Sequence, residues 1–287
     1  MIHEIPLERR TLHGHFSRDL PSILEIDPGD SIAFSCPNAG WRLDDGETFE
    51  QRDEQLDAGH ALVGPIEVRG AQQGKTLVVH IDDVRPGTFG ETFGRDIRVE
   101  WKLDADRCVG TDDRGASVQL EPFLGVIGMP PDEEGIHPTG PPRRWGGNID
   151  CKELVAGTTL YLPISVDGAH VSAGDGHARQ GDGELSGTAI ECYVERAQLT
   201  FDLSELELRS PIARVGDAWL AFGFHEDLDL AAEEAIGTML DLMERDLGFD
   251  RSYAIALGSV AVDLRVTQIV NGVKGVHAVL RDGAFAA

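Results

Sequence analysis

Positive charge, and lysine above all, is scarce in this chain. Among 287 residues, 50 are acidic and 25 are basic, which gives a formal net charge of -25 at pH 7. The lysines are Lys75, Lys102, Lys152 and Lys274. A surface with this charge repels phosphate groups over a long range, so we expect no binding to nucleic acid or to anionic membranes.

The chain also lacks paired cysteines and long apolar runs. No window approaches the roughly 18 apolar residues of a membrane-spanning helix, and residues 1–6 have neither a basic start nor an apolar run. The cysteines form no C-x-x-C pair, which argues against a zinc knuckle or a redox motif: Cys36, Cys108, Cys151 and Cys192. We therefore expect free thiols and a cytoplasmic location.

Glycine, proline, aspartate and asparagine break the first two-thirds of the chain into short apolar runs, as is typical of antiparallel β proteins. The clearest predicted strands are residues 77–81, 160–164 and 189–199. The length suffices for a core without disulfides. We predict a mainly β fold that forms one domain over residues 1–287. It has a β-sandwich or barrel-like core in 1–210 and a small α+β portion in 211–287.

One amphipathic helix is predicted near the C-terminus, beginning near Asp229. Apolar residues recur there mostly at intervals of three and four: Leu230, Ile236, Met239, Leu240, Met243 and Leu247. Gly248 offers a stop, and Asp250 is placed to cap a second short helix that runs through Leu257. An apolar stretch over residues 262–270 then predicts a strand.

Two segments combine glycines with side chains that can perform chemistry. The first is Gly147-Asn148-Ile149-Asp150, and the second, residues 174–184, reads GDGHARQGDGE. We expect the glycines to form a sharply turning loop. Such a loop brings carboxylates and an imidazole onto one point, as a metal site or a hydrolytic centre requires.

Asp175 and His177 lie two residues apart, so an extended backbone directs both side chains to one side. With Asp150 they would form a ligand set for zinc or another divalent ion, with one position open to water. The alternative is that these residues bond the local backbone in a turn. A calcium loop does not fit, because Arg179 and Gln180 occupy the wrong offsets.

Glu184 and Glu191 are the candidates for proton transfer. A partly buried glutamate can take a proton from water and return it to a departing nitrogen. Glu191 alternates with Tyr193 and Glu195, so its alternative is a solvated carboxylate on a strand. Glu184 ends the glycine-rich segment and is the preferred base.

Two amide side chains and two possible nucleophiles complete the set of candidates. Asn148 and Gln180 each carry a donor and an acceptor for an amide substrate, or alternatively cap turns. Cys151 is an alternative nucleophile, although the lysine and glutamate after it would face different sides of a strand. Residues 170–174 approach the G-x-S-x-G elbow, but the first glycine is missing and no helix is predicted to follow.

These motifs resemble the acetamidase/formamidase family of amide hydrolases. The family pattern runs G-G-N-x-D, L-P-[IV], G-D-x-H-A-x-Q-G-D-G-E and T-A-x-E. The matching segments are residues 146–150, 162–164, 174–184 and 188–191, and the resemblance extends to 16–30, 64–70 and 263–268. It therefore covers nearly the whole chain.

The resemblance implies hydrolysis of a small aliphatic amide, of the formamide or acetamide type, to a carboxylate and ammonia. It favours a divalent metal ion, zinc ahead of calcium or another ion, on Asp150, Asp175 and His177, which would polarise the carbonyl and activate water. The chain departs from the family at Asn38, where an aspartate is frequent. This change removes one carboxylate, and we assign Asn38 to substrate binding.

Two further expectations concern function and assembly. A non-catalytic protein that binds a metal or a small ligand on the same fold is the alternative to an amidase, because a fold alone does not establish chemistry. We expect the chain to form a homo-oligomer, with a dimer as the first expectation, and to need no partner besides its small-molecule substrate.

Overall fold

The structure is a computed structural model that describes residues 1–50 and 55–285. Its strands are β1 Ile2–Ile5, β2 Leu12–His13, β3 Leu24–Ile26, β4 Ser31–Cys36, β5 Leu62–Val68, β6 Thr76–Phe93, β7 Arg98–Asp104, β8 Val109–Asp112, β9 Ser117–Gln119, β10 Phe123–Gly128, β11 Gly146–Asn148, β12 Thr158–Pro163, β13 Val171–His177, β14 Glu191–Ser204, β15 Ile212–Val215, β16 Ala218–His225, β17 Val262–Gln268 and β18 Lys274–Arg281. The helices are a 3-10 turn, Arg9–Thr11, and two α-helices, α1 Leu228–Leu247 and α2 Arg251–Ala261. Each of the three clearest predicted strands lies largely within an observed one.

The long strands β6 and β14 pair antiparallel from Thr76 and Ser204 at one end to Glu91 and Glu191 at the other. Each strand also has other partners: β6 pairs with β12 and β7, and β14 pairs with β4. At the first residue of β14, Glu191 pairs with His177 of β13. This register brings an acidic residue beside the predicted imidazole.

A second group of strands is arranged around β13. It pairs with β10 and β5, while β10 also pairs with β11 and β5 also pairs with β2 and β3. Ile66, Leu124, Leu160 and Leu199 come from four different strands and belong to one buried apolar cluster. The predicted fold class, a mainly β protein with a sandwich or barrel-like core, is confirmed.

The C-terminal part combines a small antiparallel meander with the two helices. β15 pairs with β12 and β16, and β18 pairs with both β16 and β17. Met239 and Met243 of α1 join an apolar cluster with Ala254 of α2 and Ala278 of β18. Of the face predicted for α1, Met239, Leu240 and Met243 therefore pack on the meander, whereas Leu230, Ile236 and Leu247 are exposed.

Both predicted helices are present, and Gly248 and Asp250 act as predicted. The cap of α1, however, is Asp227, which was not named from the sequence, and α2 continues past Leu257 to Ala261. The Asp227 side chain accepts hydrogen bonds of 2.9 and 3.2 Å from two first-turn amides of α1, and Asp250 accepts one of 2.9 Å in α2. These bonds satisfy amides that lack a partner within the helix. α1 ends before Gly248, whose φ of 68° is the left-handed conformation that glycine adopts without penalty.

The cysteines are free, as expected, and only Cys108 is exposed. A search of the helices in the described part of the chain finds none with the length and apolarity needed to cross a membrane.

Candidate active site

Strand β13 carries Asp175 and His177, and all seven of its residues are buried. The prediction of a turning loop over this part of the glycine-rich segment is wrong, because residues up to His177 form a strand. Its glycines permit close packing instead. A Cβ on Gly174 would collide with the carbonyl oxygen of Ala61, and one on Gly176 would collide with β14. The two polar residues are therefore held rigidly between strands.

The His177 imidazole is surrounded by carboxylates. Its Nε2 lies 3.3 Å from Asp175 Oδ1 and 3.4 Å from Glu191 Oε1, and its Nδ1 lies 4.0 Å from Asp150 Oδ1. The predicted convergence of Asp175 and His177 on one side of the chain is therefore present. It is reached with a left-handed backbone at Asp175, whose φ is 64°, rather than with regular extended geometry.

Asp150 lies two residues after the end of the short strand β11 and is held from two directions. Gln180 Nε2 donates to the backbone oxygen of Asp150 at 2.8 Å, and Asn271 Nδ2 donates to Asp150 Oδ2 at 2.6 Å. The second carboxylate oxygen, Oδ1, is buried and has no hydrogen-bond partner. The segment after β11, which is distant in sequence from β13, therefore places Asp150 beside His177 with one carboxylate oxygen free of hydrogen bonds.

The two candidate bases are both buried. Glu191 Oε1 accepts a hydrogen bond of 2.9 Å from the amide of Ala189, while Glu191 Oε2 and Glu184 Oε2 have no partner. Along β14, Glu191 is buried and Glu195 is exposed, so the solvated-carboxylate alternative holds for Glu195 and does not hold for Glu191.

These side chains line a cavity of 360 Å³. Its lining comprises Asn38, Ala39, Gly40, Arg42, His60, Glu91, Phe93, Asn148, Asp150, Asp175, His177, Glu184, Gly187, Thr188, Glu191 and Asn271. A larger neighbouring recess of 710 Å³ shares Ala39, Gly40 and His60 with it, but its described lining contains no carboxylate or thiol. The chemistry therefore belongs to the smaller cavity.

Burial perturbs the ionisation of this cluster. Desolvation, followed by repulsion from Glu184, raises the pKa of Asp150 well above its usual value, and desolvation raises the pKa of Glu184 to about 7. Desolvation also opposes the charged form of Asp175, but attraction to His177 outweighs it and the pKa of Asp175 falls to about 2. For His177, desolvation is outweighed by Glu191 and Asp175, which raise the imidazole pKa. The cluster is short of positive charge.

This donor set fits a divalent cation. Asp150, Asp175 and His177 each offer one ligand atom within 4.8 Å of the others, and so do His177, Glu184 and Glu191. The buried atoms without a hydrogen bond are Asp150 Oδ1, Asp175 Oδ1, His177 Nδ1, Glu184 Oε2 and Glu191 Oε2. In the described ranges, neither lysine nor arginine pairs with these carboxylates. Unpaired buried carboxylates are costly, and a cation offsets that cost.

The three predicted substrate-binding amides occupy different places. Asn148 lines the cavity, and its Oδ1 is buried without a partner. Asn38 also lines the cavity; its Oδ1 accepts from the amides of Gly40 and Arg42, and its Nδ2 lies 3.5 Å from Glu91 Oε1. Gln180 is outside the lining and bonds the backbone of Asp150.

The sequence patterns missed several residues of the site. A Cβ on Gly125 of β10 would lie 2.7 Å from Asp150 Oδ1 and 2.9 Å from His177 Cε1, so glycine leaves room for the cluster. Asn271 comes from the turn after β17, where an Asn-Gly pair is a hairpin signal. Glu91 is paired with Arg98 at 2.7 Å and with Arg42 at 3.8 Å. No local pattern marks Gly125 or Glu91.

The alternative nucleophiles are placed elsewhere. Cys151 is 1% exposed, is not among the lining residues, and donates its S–H to Glu153 Oε2 at 3.2 Å. Burial raises the pKa of this thiol well above its usual value, so the reactive thiolate is disfavoured. Ser172 Oγ lies 2.9 Å from His13 Nε2, but both residues are 2% exposed and outside the cavity lining.

A buried cavity that joins carboxylates, an imidazole and a free amide oxygen on a β-sandwich has the attributes of an enzyme active site. The sequence profile of the Acetamidase/Formamidase family matches residues 3–137 and 132–280. The chain therefore belongs to the acetamidase/formamidase family. The family predicted from the motifs is confirmed, and with it the enzyme class, that of amidase-type hydrolases.

Individual relatives agree with this assignment. The chain is 24% identical to an acetamidase of Mycolicibacterium smegmatis over 61% of each protein. It is 26% identical to a formamidase of Methylophilus methylotrophus over 61% of this chain and 60% of the relative, so it spans about six tenths of the length of both proteins. The crystal structure of an acetamidase from Bacillus halodurans superimposes with a TM-score of 0.85 at 27% identity, covering 96% of this chain and 97% of the other.

Proposed function

We propose that this chain hydrolyses small aliphatic amides, of the formamide or acetamide type, to a carboxylate and ammonia. The observation that carries the proposal is the convergence of four buried carboxylates on His177, with one oxygen of each unbonded, inside a 360 Å³ cavity. Family membership and the similarity to an acetamidase and a formamidase support the same substrate class.

The amide side chains of the cavity bind and orient the substrate. Asn148 Oδ1 accepts the substrate N–H, because it is buried in the lining without another partner. Asn38 contributes its Nδ2 from the opposite segment, where it faces Glu91. Gln180 is a positioning residue, since it reaches the site through its bond to the backbone of Asp150.

Asp150, Asp175 and His177 would hold a divalent cation, for which zinc is the first choice because one imidazole and carboxylates suit it. When bound, such an ion supplies Lewis acidity, which polarises a carbonyl and lowers the pKa of water. Asn271 occupies Asp150 Oδ2 and so presents Oδ1 to the cluster. Gly125 leaves the space in which these groups meet.

Glu184 moves the proton. Its Oε2, unbonded in the cavity, takes a proton from the water that attacks the carbonyl carbon, and then delivers it to the departing nitrogen as the C–N bond breaks. A pKa raised to about 7 suits both steps, because the group can be a base and then an acid at neutral pH. Glu191 is the second catalytic candidate and orients the His177 ring through its contact with Nε2.

The test is ammonia release from formamide, acetamide, propionamide and benzamide by the full chain. It is measured as purified, after exhaustive chelation, and after return of zinc, calcium or manganese. We expect turnover of the small aliphatic amides, loss on chelation and recovery with one added ion. An absence of ammonia from every amide with every ion would contradict the amidase proposal. Full turnover by metal-free protein would overturn the metal role alone.

A further inference from the structure

A second group of metal-ligating side chains lies outside the cavity. Cys151 Sγ is 3.2 Å from Glu153 Oε2, and His277 Nε2 is 3.8 Å from the same oxygen. One ligand atom from each of the three residues lies within 4.8 Å of the others. Cys151 is 1% and His277 0% exposed, and none of the three lines the carboxylate cavity.

The hydrogen bonds around this group leave its inward-facing atoms available. Arg265 Nη1 donates to Glu153 Oε1 at 2.8 Å, so only Oε2 faces the cysteine and the histidine. His277 Nδ1 lies 2.7 Å from Thr267 Oγ1, while His277 Nε2 is buried without any hydrogen-bond partner. A histidine whose second ring nitrogen is fixed in this way has the arrangement usual for metal ligands.

Two of the three ligand separations are close to those expected at a tetrahedral zinc ion. With typical zinc–ligand bond lengths, a thiolate sulfur and a carboxylate oxygen on one ion lie about 3.6 Å apart, and an imidazole nitrogen and the oxygen about 3.4 Å apart. The corresponding distances here are 3.2 and 3.8 Å. Each of these two distances differs from its expected value by about 0.4 Å, and the third pair, Cys151 Sγ and His277 Nε2, lies within 4.8 Å. Without an ion, the S–H donation to Glu153 leaves His277 Nε2 unbonded.

We propose that Cys151 Sγ, Glu153 Oε2 and His277 Nε2 bind a second, structural zinc ion. On binding, the thiol releases its proton to solvent and its sulfur ligates as thiolate. The two anionic ligands balance the charge of the ion, and Arg265 remains paired with the outer oxygen of Glu153. Because these ligands lie outside the carboxylate cavity, the ion would link chain segments and would not contact the substrate.

The segments that this ion would join both reach the active site. Cys151 and Glu153 lie in the connection between β11 and β12, immediately after Asp150, and His277 lies in β18. The turn between β17 and β18 carries Asn271, which bonds Asp150. The second ion therefore fixes the C-terminal hairpin against the segment that supplies a residue of the cavity.

The test is cobalt substitution of the full chain, because a thiolate ligand on cobalt gives a charge-transfer absorption in the near ultraviolet and carboxylate or imidazole ligands do not. No cysteine lines the carboxylate cavity, so this absorption does not arise from an ion bound there. We expect the band in wild-type protein and in Asp175→Asn. In Cys151→Ser the band should be lost, together with about one equivalent of metal.

The matched control is Cys108→Ser, which removes the exposed thiol and should keep the band. A further variant, Thr267→Val, keeps all three ligands and removes only the hydroxyl beside His277 Nδ1, so metal affinity should fall roughly 10- to 100-fold. If the cobalt-loaded wild-type protein shows no thiolate band, the proposal is overturned, and no variant is needed for that conclusion. A band that persists in folded Cys151→Ser also overturns it.

Discussion

Asn271 Nδ2 donates a hydrogen bond of 2.6 Å to Asp150 Oδ2 across 121 positions of sequence. The backbone N–H of Asn271 donates to Gln268 Oε1 at 3.2 Å, so the turn presents the Asn271 side chain in a fixed direction. One oxygen of Asp150 is thus occupied and the other is free. The small C-terminal α+β portion therefore contributes a residue to the candidate active site.

We expect Asn271→Ala to lower kcat/KM about 10- to 100-fold, because a hydrogen bond to a charged group contributes about 1.5 to 3 kcal/mol. Steady-state ammonia release measures the effect. Asn271→Asp should be more damaging, since it places a second carboxylate against Asp150. Wild-type kinetics in Asn271→Ala would show that the hydrogen bond from the hairpin is not required to position Asp150.

Glu184→Gln should lower kcat roughly 10²- to 10⁴-fold with little change in KM, because the amide keeps the shape but cannot take the proton. Metal content, measured on the same preparation, should stay near wild type. Glu195→Gln is the control, since that carboxylate is exposed on β14. Normal turnover in Glu184→Gln would move the role to Glu191, and loss of metal would make Glu184 a ligand.

Gly125→Ala should abolish most of the activity, because the added Cβ would lie 2.7 Å from Asp150 Oδ1 and 2.9 Å from His177 Cε1. Overpacking of this kind costs about 1 to 3 kcal/mol of stability, which a folded protein can survive. Gly140→Ala is the matched control, because a Cβ there meets no atom within 4 Å. Equal activity in the two variants would refute the crowding argument.

Asp227→Ala should lower the free energy of unfolding by about 1 kcal/mol, since it removes the side-chain acceptor at the start of α1. Denaturant titration, followed by circular dichroism, measures the change. Glu226→Ala, one residue earlier, removes an exposed carboxylate that does not cap the helix and should leave stability unchanged. Two equally stable variants would mean that the cap contributes nothing.

The helices and the strand-rich class were predictable because their signals are local. An apolar period of 3.6 residues and a terminal glycine indicate α1, and a capping aspartate indicates α2. The spacing of Asp175 and His177 predicted their common side, although the structure reaches it through a left-handed backbone at Asp175. The glycines of β13 were read as turn residues, because a glycine that permits close strand packing gives the same sequence signal as one that permits a turn.

The rest of the site depends on strand pairing, which no local pattern encodes. Gly125 matters because β10 pairs with β13, and Asn271 matters because β18 returns beside β17 toward Asp150. Glu191 is buried because the registers of β14 with β6 and β13 place it at their junction. These relationships join residues that are distant in sequence.

Three acidic residues of the cluster, Asp150, Asp175 and Glu184, have φ angles of 51°, 64° and 47°. For residues with a side chain, this left-handed conformation costs on the order of 1 kcal/mol each, which glycine would avoid. The folded chain is thus less stable than the same backbone would be with glycine at these three positions. Selection for thermostability alone would therefore favour glycine at these positions and remove the acids of the site, so screens for robust variants must select for turnover at the same time.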